Sequence, residues 1–330
     1  SFMKSIISTG PKTSEVREVA LPVINDDQIL IKTKYVGVCM SEHYDWSVAK
    51  PGAAFGHEPM GYVEEVGKNV TGFQKGDRIS GLWGGSLPGS GGMVEYNVAD
   101  PRKDIVIKLP DNLTDEEAVL EPLACIMSAV SKVRTTVPGT HVAVVGCGYM
   151  GCGAISLLKA CGAYVVAIDI RPESLENAKA YGADELYLYD EAKEKFSTSN
   201  GFPGFEAVME WGETNESLDL AINITQQCGQ LCIGAYHTGG KRLVDIQQLN
   251  VKAIDCLSTH PREDHLNRKG AAAATEMLSN GSWKYRNVKT KIYPYTQFDK
   301  AQAEMETKYG IFMKSLIDMT WEDGEPKVIG

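Results

Sequence analysis

Hydrophobic and polar positions alternate through the first 120 or so residues of the chain. QILIKTKYVGVC, Gln28 to Cys39, follows the period of two expected of a strand with one buried face. The shorter runs GYVEEVG and GGMVEYNVA repeat that pattern between glycines, so this region reads as β-rich. The pattern changes at VPGTHVAVVGCGYMGCGAISLLKACGAYVVAIDI. Val142 to Val145 is continuously apolar, which predicts a strand buried on both faces. A glycine turn, a helix of small residues and a second apolar strand ending in Asp169 complete a βαβ unit, and the alternation of strand and helix continues to about residue 258. There FEAVMEW and QLCIGAY are predicted strands, with ESLDLAINITQQC a helix between them. From Asp264 onward the pattern returns to helix, AAAATEMLSNG, and mixed segments.

Charge and composition narrow the classes. The chain has 330 residues, room for two domains, and a net charge of −10, which argues against nucleic acid or an anionic membrane as partner. No apolar run has the length of a membrane span, and the N-terminus lacks a signal-peptide pattern. Ser1 and Phe2, ahead of Met3, read as a cloning remnant. The eight cysteines are scattered, so a reduced, cytoplasmic chain is expected rather than a disulfide framework.

Gly146, Gly148 and Gly151 form G-x-G-x-x-G between a predicted strand and a predicted helix. In that setting the glycines allow a tight turn and bring backbone N–H groups, with those of Tyr149 and Met150, up to a pyrophosphate. Asp169, at the end of the next strand, is placed to accept from ribose hydroxyls and to repel a 2′-phosphate, so NAD is expected over NADP. Arg171, two residues on, softens that preference without replacing the carboxylate.

FGHEPMGYVEEVGKNVTGFQKGDRI holds His57 beside Glu58, a pair that alone fits a structural hydrogen bond as well as half a metal site. Upstream, GVCMSEHYDW adds Cys39, Ser41, Glu42 and His43; downstream, LEPLACIMSAV adds Glu121. Cys39, His57, Glu58 and Glu121 are ligand types that suit zinc, at spacings too long for a zinc finger.

Across nearly the whole chain these motifs, with FQKGDRI, GGMVEY, EPLAC and PGTHVAVVGCGYMG, resemble the zinc-dependent medium-chain dehydrogenase/reductase family, and most of all its polyol (sorbitol) dehydrogenase branch. The resemblance implies an α/β fold: a GroES-like β-rich catalytic domain, residues 1–122 and 262–330, and a Rossmann doubly wound parallel-sheet domain, 123–261. It implies Cys39 and His57 as zinc ligands, Glu58 as a direct or alternating ligand, and Glu121 where other members carry a cysteine. Glu42 would orient His57, and Ser41 would relay the substrate proton. The implied reaction oxidises a secondary alcohol reversibly, with zinc as Lewis acid and NAD as hydride acceptor.

Two departures stand out. Tyr44 occupies the position of a relay histidine, which leaves His43 one residue early. The four-cysteine lobe of a structural zinc is replaced by the cysteine-free SGLWGGSLPGSGG, so one zinc per chain is expected. Trp46 is a candidate pocket wall, and His237 and His260 are candidate neighbours of the nicotinamide cleft. A homodimer or homotetramer is expected, paired through QLCIGAY as an apolar sheet edge. Two other readings stay open: a zinc-free NAD(P)H-dependent reductase on the same fold, and a non-enzymatic nucleotide-binding structural protein.

Overall fold

The computed structural model describes residues 1–83, 92–135 and 137–330. Its strands are β1 (Phe2–Gly10), β2 (Thr13–Ala20), β3 (Ile29–Val38), β4 (Pro59–Val66), β5 (Arg78–Leu82), β6 (Tyr96–Ala99), β7 (Ile105–Lys108), β8 (His141–Val145), β9 (Tyr164–Asp169), β10 (Glu185–Leu188), β11 (Phe205–Glu210), β12 (Thr225–Ile233), β13 (Asp255–Ser258), β14 (Thr290–Pro294), β15 (Lys314–Asp318) and β16 (Lys327–Ile329). The helices are α1 (Met40–Val48), α2 (Leu120–Val130), α3 (Tyr149–Ala160), α4 (Pro172–Ala180), α5 (Tyr189–Lys195), α6 (Asn215–Ile224), α7 (Ile246–Val251), α8 (Asp264–Asn280) and α9 (Phe298–Glu304).

Two larger sheets carry the fold. One has eight strands in the order β16-β14-β15-β3-β4-β5-β7, with β6 on β3. The alternating β3 is its centre, and Ile29, Ile31 and Val36 are fully buried. The other has six parallel strands, β10-β9-β8-β11-β12-β13. The strand order reverses between β8 and β11, and doubly wound sheets bind ligands at the carboxyl ends of such a pair. The run Val142–Val145 is at most 3% exposed, as an unbroken apolar strand buried on both faces requires. The fold is therefore a GroES-like β-rich part joined to a Rossmann-type parallel sheet.

Helix α2, which carries Glu121, packs on α3 and α8. The contact with α3 is close because α3 is built of small residues: a Cβ on Gly153 would lie 2.6 Å from Ile126 Cδ1 and 2.8 Å from Tyr285.

Two expectations need correction. QLCIGAY is not a sheet edge: β12 lies between β11 and β13, and β13 is the outer strand. The helix expected over ESLDLAINITQQC stops at Ile224, where the Thr225 hydroxyl bonds back to Ala221 O and the chain turns into β12. The cysteine-free SGLWGGSLPGSGG falls mostly on 84–91, outside the described residues. Among the described residues no helix is long and apolar enough to cross a membrane.

Candidate functional site

Antiparallel pairing of β3 with β4 sets Val36 opposite Pro59, and Gly37 N donates to Glu58 O at 2.9 Å. The residue after β3, Cys39, thereby meets the His57-Glu58 pair that precedes β4. Cys39 is the N-cap of α1, so Ser41 and Glu42 lie in the first turn beside it. Cys39 Sγ is 3.4 Å from His57 Nε2 and 2.8 Å from Ser41 Oγ. His57 Nε2 is 3.7 Å from Glu58 Oε2 and 4.0 Å from Glu121 Oε2. One donor atom from each of Cys39, His57 and Glu58 lies within 4.8 Å of the others, and Glu121 stands just beyond that set. A thiol, an imidazole and a carboxylate this close fit a borderline-soft divalent cation such as zinc.

The surroundings explain the charge balance. Glu42 is 3% exposed; it accepts from Gly56 N at 2.7 Å and from Gln302 Nε2 at 3.2 Å, and faces His57 Nδ1 at 3.9 Å. Burial raises Glu42 to about 7, against the opposing charge of His57. Burial alone would also raise Glu58, but the charges of Lys314 and His57 hold it below the usual carboxylate range. Glu121 is pushed up to about 7, first by burial and then by the charge of Glu58. For His57, burial favours the neutral ring, yet the hydrogen bond to Cys39 and the charges of Cys39, Glu58 and Glu121 prevail and raise it to about 11.

Sequence reasoning missed Lys314, which enters from β15 and forms a buried ion pair with Glu58, its Nζ 5.0 Å from the Tyr149 ring centroid. The available signal was a lysine inside the apolar strand run FMKSLIDM. Cys125 was missed too; one turn after Glu121 on α2, its Sγ donates to Glu121 Oε1 at 3.3 Å.

The remaining candidates fall as follows. His43 turns its Nε2 to Glu306 at 2.9 Å. Trp46 does not line a pocket: it is 3% exposed, packs in the core and donates Nε1 to Asp299 at 2.8 Å. His237 Nε2 lies 2.6 Å from Glu210, a fully buried carboxylate that ends β11 and also accepts from Gly212 N, Glu213 N and Ser217 Oγ. His260 is half-buried and close enough to His57 to feel its charge; burial, then Arg262, lower its pKa. Tyr44 packs against Gly239, in the loop that follows β12.

At the carboxyl end of β8, Gly146 adopts φ +97° and opens the turn. A Cβ on Gly151 would fall 1.9 Å from Gly146 O, so only glycine lets α3 start there. A Cβ on Gly148, the N-cap of α3, would meet nothing within 4 Å, which leaves space in front of the helix N-terminus for a phosphate. Asp169 accepts from Cys147 N at 2.8 Å and Arg171 N at 2.9 Å, which leaves lone pairs on both carboxylate oxygens. The turn fits a dinucleotide.

Residues 25–111 match the alcohol dehydrogenase GroES-like domain, and residues 150–268 match the zinc-binding dehydrogenase domain. An alcohol dehydrogenase of Geobacillus stearothermophilus is 35% identical over 54% of this chain and 61% of its own length. The chain thus spans less than two thirds of that relative. A sorbitol dehydrogenase of Bacillus subtilis is 29% identical over 70% of this chain and 74% of its own. The crystal structure of 2R,3R-butanediol dehydrogenase from Bacillus subtilis superposes with a TM-score of 0.78 at 22% identity, covering 96% of this chain and 99% of that one.

Proposed function

Because the chain belongs to the zinc-dependent medium-chain dehydrogenase/reductase family, we propose that it interconverts a secondary alcohol and its ketone. The substrate class we assign is a polyol, sugar alcohol or similar small hydroxylated compound, with NAD as hydride carrier and one zinc per chain. The observation that carries this reading is the cluster of Cys39, His57 and Glu58 donors within 4.8 Å. Residues 1–122 with 262–330 serve as the catalytic domain and 123–261 as the nucleotide domain. Eight free cysteines support a reducing, cytoplasmic setting.

Cys39, His57 and Glu121 would hold the metal, with Glu58 as the exchanging ligand; Gly146, Gly148, Gly151 and Asp169 would hold the dinucleotide. The chemistry supplied by these groups when bound is Lewis acidity toward the substrate hydroxyl and hydride acceptance. Ser41 Oγ takes the hydroxyl proton outward. Glu42 orients His57 from the Nδ1 side and so leaves Nε2 to the metal. Lys314 balances the charge of Glu58, so a dication with Cys39 and Glu121 sums to zero, a better setting for a developing negative oxygen than a net anionic one.

The test is a panel of sugar alcohols, inositols and diols with NAD and the zinc-loaded chain, with and without a chelator. NAD reduction abolished by the chelator is the expected outcome. Reduction of activated alkenes that survives chelation would favour the zinc-free reductase, and nucleotide binding with no turnover the structural protein.

A further inference from the structure

The turn Lys308–Ile311, just before β15, closes with Ile311 N donating to Lys308 O at 2.8 Å. Its two central residues, Tyr309 at φ +47° and Gly310 at φ +83°, are both left-handed, the conformation of a type I′ turn. Glycine suits such a position; tyrosine does not, and a non-glycine residue held there is a pointer to function. Two contacts fix the turn on the nucleotide half. Gly310 O accepts from Asn177 Nδ2 at 2.9 Å, and a Cβ on Gly310 would lie 3.0 Å from Ser174 N in the first turn of α4. The Tyr309 ring is thereby delivered to Arg171, whose Cζ is 4.9 Å from the ring centroid. Arg171 is the residue whose main-chain N–H bonds the Asp169 carboxylate. Its guanidinium is thus a cation two residues from the carboxylate that would face a phosphate on the adenosine ribose.

We propose that Tyr309 is a cofactor-specificity residue: from the catalytic half of the chain it parks the Arg171 guanidinium on its ring, away from a ribose 2′-phosphate. Discrimination then has two layers. Asp169 repels the phosphate, and Tyr309 withholds the cation that would bind it. This rests on the dinucleotide reading above. Tyr309 is 47% exposed, so the contact has the strength of an exposed cation–π pair, and releasing it is worth about a two- to fivefold change in affinity.

The test is direct binding of NADH and NADPH, followed by the fluorescence of the reduced nicotinamide. The full chain carries Asp169→Ser, which removes the first layer. Tyr309→Asn is the variant of choice because asparagine tolerates the left-handed turn; Tyr309→Ala repeats the test without a polar side chain. Each is made with Arg171 present and with Arg171→Ala. Both Tyr309 variants should tighten NADPH about two- to fivefold when Arg171 is present and leave it unchanged in Arg171→Ala, while neither changes NADH binding more than about twofold relative to the chain that retains Tyr309 in the same background. Unchanged NADPH binding, or tightening that persists without Arg171, overturns the proposal. Weakened NADPH binding overturns it too, since Tyr309 would then be presenting the guanidinium to the phosphate. If NADH and NADPH both bind but follow one of these patterns, only this inference fails. If no chain, wild type included, binds either dinucleotide, the dinucleotide reading fails and takes this inference with it.

Discussion

Lys314 and Glu58, 256 residues apart in the sequence, form an ion pair whose side chains are only 8% and 1% exposed. Removing one member of such a pair strands the other charge in a dry interior. Lys314→Met should therefore cost about 3–5 kcal/mol of stability in the metal-free chain. Zinc should recover part of that loss, because a dication replaces the missing ammonium as counter-charge to Glu58. Urea unfolding with and without zinc measures both values; an equal cost in the two conditions would show that Glu58 does not sense the metal.

Cys39→Ala and His57→Ala should each lose zinc and activity together while retaining the fold, as the donors lie at one site. Elemental analysis should give about one zinc for the wild type and well under one for either variant. Two tightly held zinc ions per chain, or full activity in Cys39→Ala, would overturn the assignment.

Asp169→Ser should narrow the preference for NAD over NADP, because the carboxylate would otherwise face the 2′-phosphate. The ratio of kcat/KM values for the two cofactors is the measure. Equal efficiency on both in the wild type would contradict the role given to Asp169.

Glu117 offers a pH test away from the metal. Burial alone would raise its pKa, but hydrogen bonds from Arg286 and Thr114 hold it below the ordinary carboxylate value. Arg286 Nη2 lies 2.8 Å from Oε2 and Nε 3.2 Å from Oε1. A depressed folded pKa means that the stabilisation is present above the unfolded value, about 4.3, and is lost as pH falls through the folded one. Glu117→Gln should cost about 1–2 kcal/mol at pH 7, the lower part of the range for bonds to a charged group because Arg286 is one-third exposed. Below pH 4 the gap between variant and wild type should close. A gap that is constant from pH 7 to pH 3 would exclude the linkage.

Self-association should run through β13, the outer strand of the parallel sheet, with a homodimer or homotetramer as the product. Light scattering at micromolar concentration checks this; a monomer would count against it.

What the sequence made legible was local. The glycine turn, Asp169 and the buried Val142–Val145 strand are neighbours in one βαβ unit, so their chemistry and spacing are read together. Cys39 and His57-Glu58 flank paired strands and were legible as a resemblance carried by motifs. The position of β13 outside β12 was not, because strand order in a parallel sheet depends on crossovers and leaves no mark on a single apolar run. Trp46 misled because an indole with a polar N–H suits a pocket wall and a core equally; its partner, Asp299, comes from α9. For Lys314 the one local signal was a lysine inside an apolar strand run; nothing near it in the chain announces Glu58 as its partner.

The place of β15 in the sheet order has a consequence for how the protein is made. β15 hydrogen-bonds β3 on one side and β14 on the other, so it is inserted into the sheet rather than appended to it. Before Lys314 is synthesised, the Tyr35–Val38 stretch of β3 lacks its β15 partner, although β6 already covers Ile29–Lys32, and Glu58 lacks its lysine, while the parallel sheet and its glycine turn are already complete. The parallel sheet can acquire its shape during synthesis, whereas the Cys39–His57–Glu58 cluster must wait for the final stretch of polypeptide to gain Lys314. A nascent chain stalled in that interval would expose an apolar strand edge, which makes it a natural client for a chaperone.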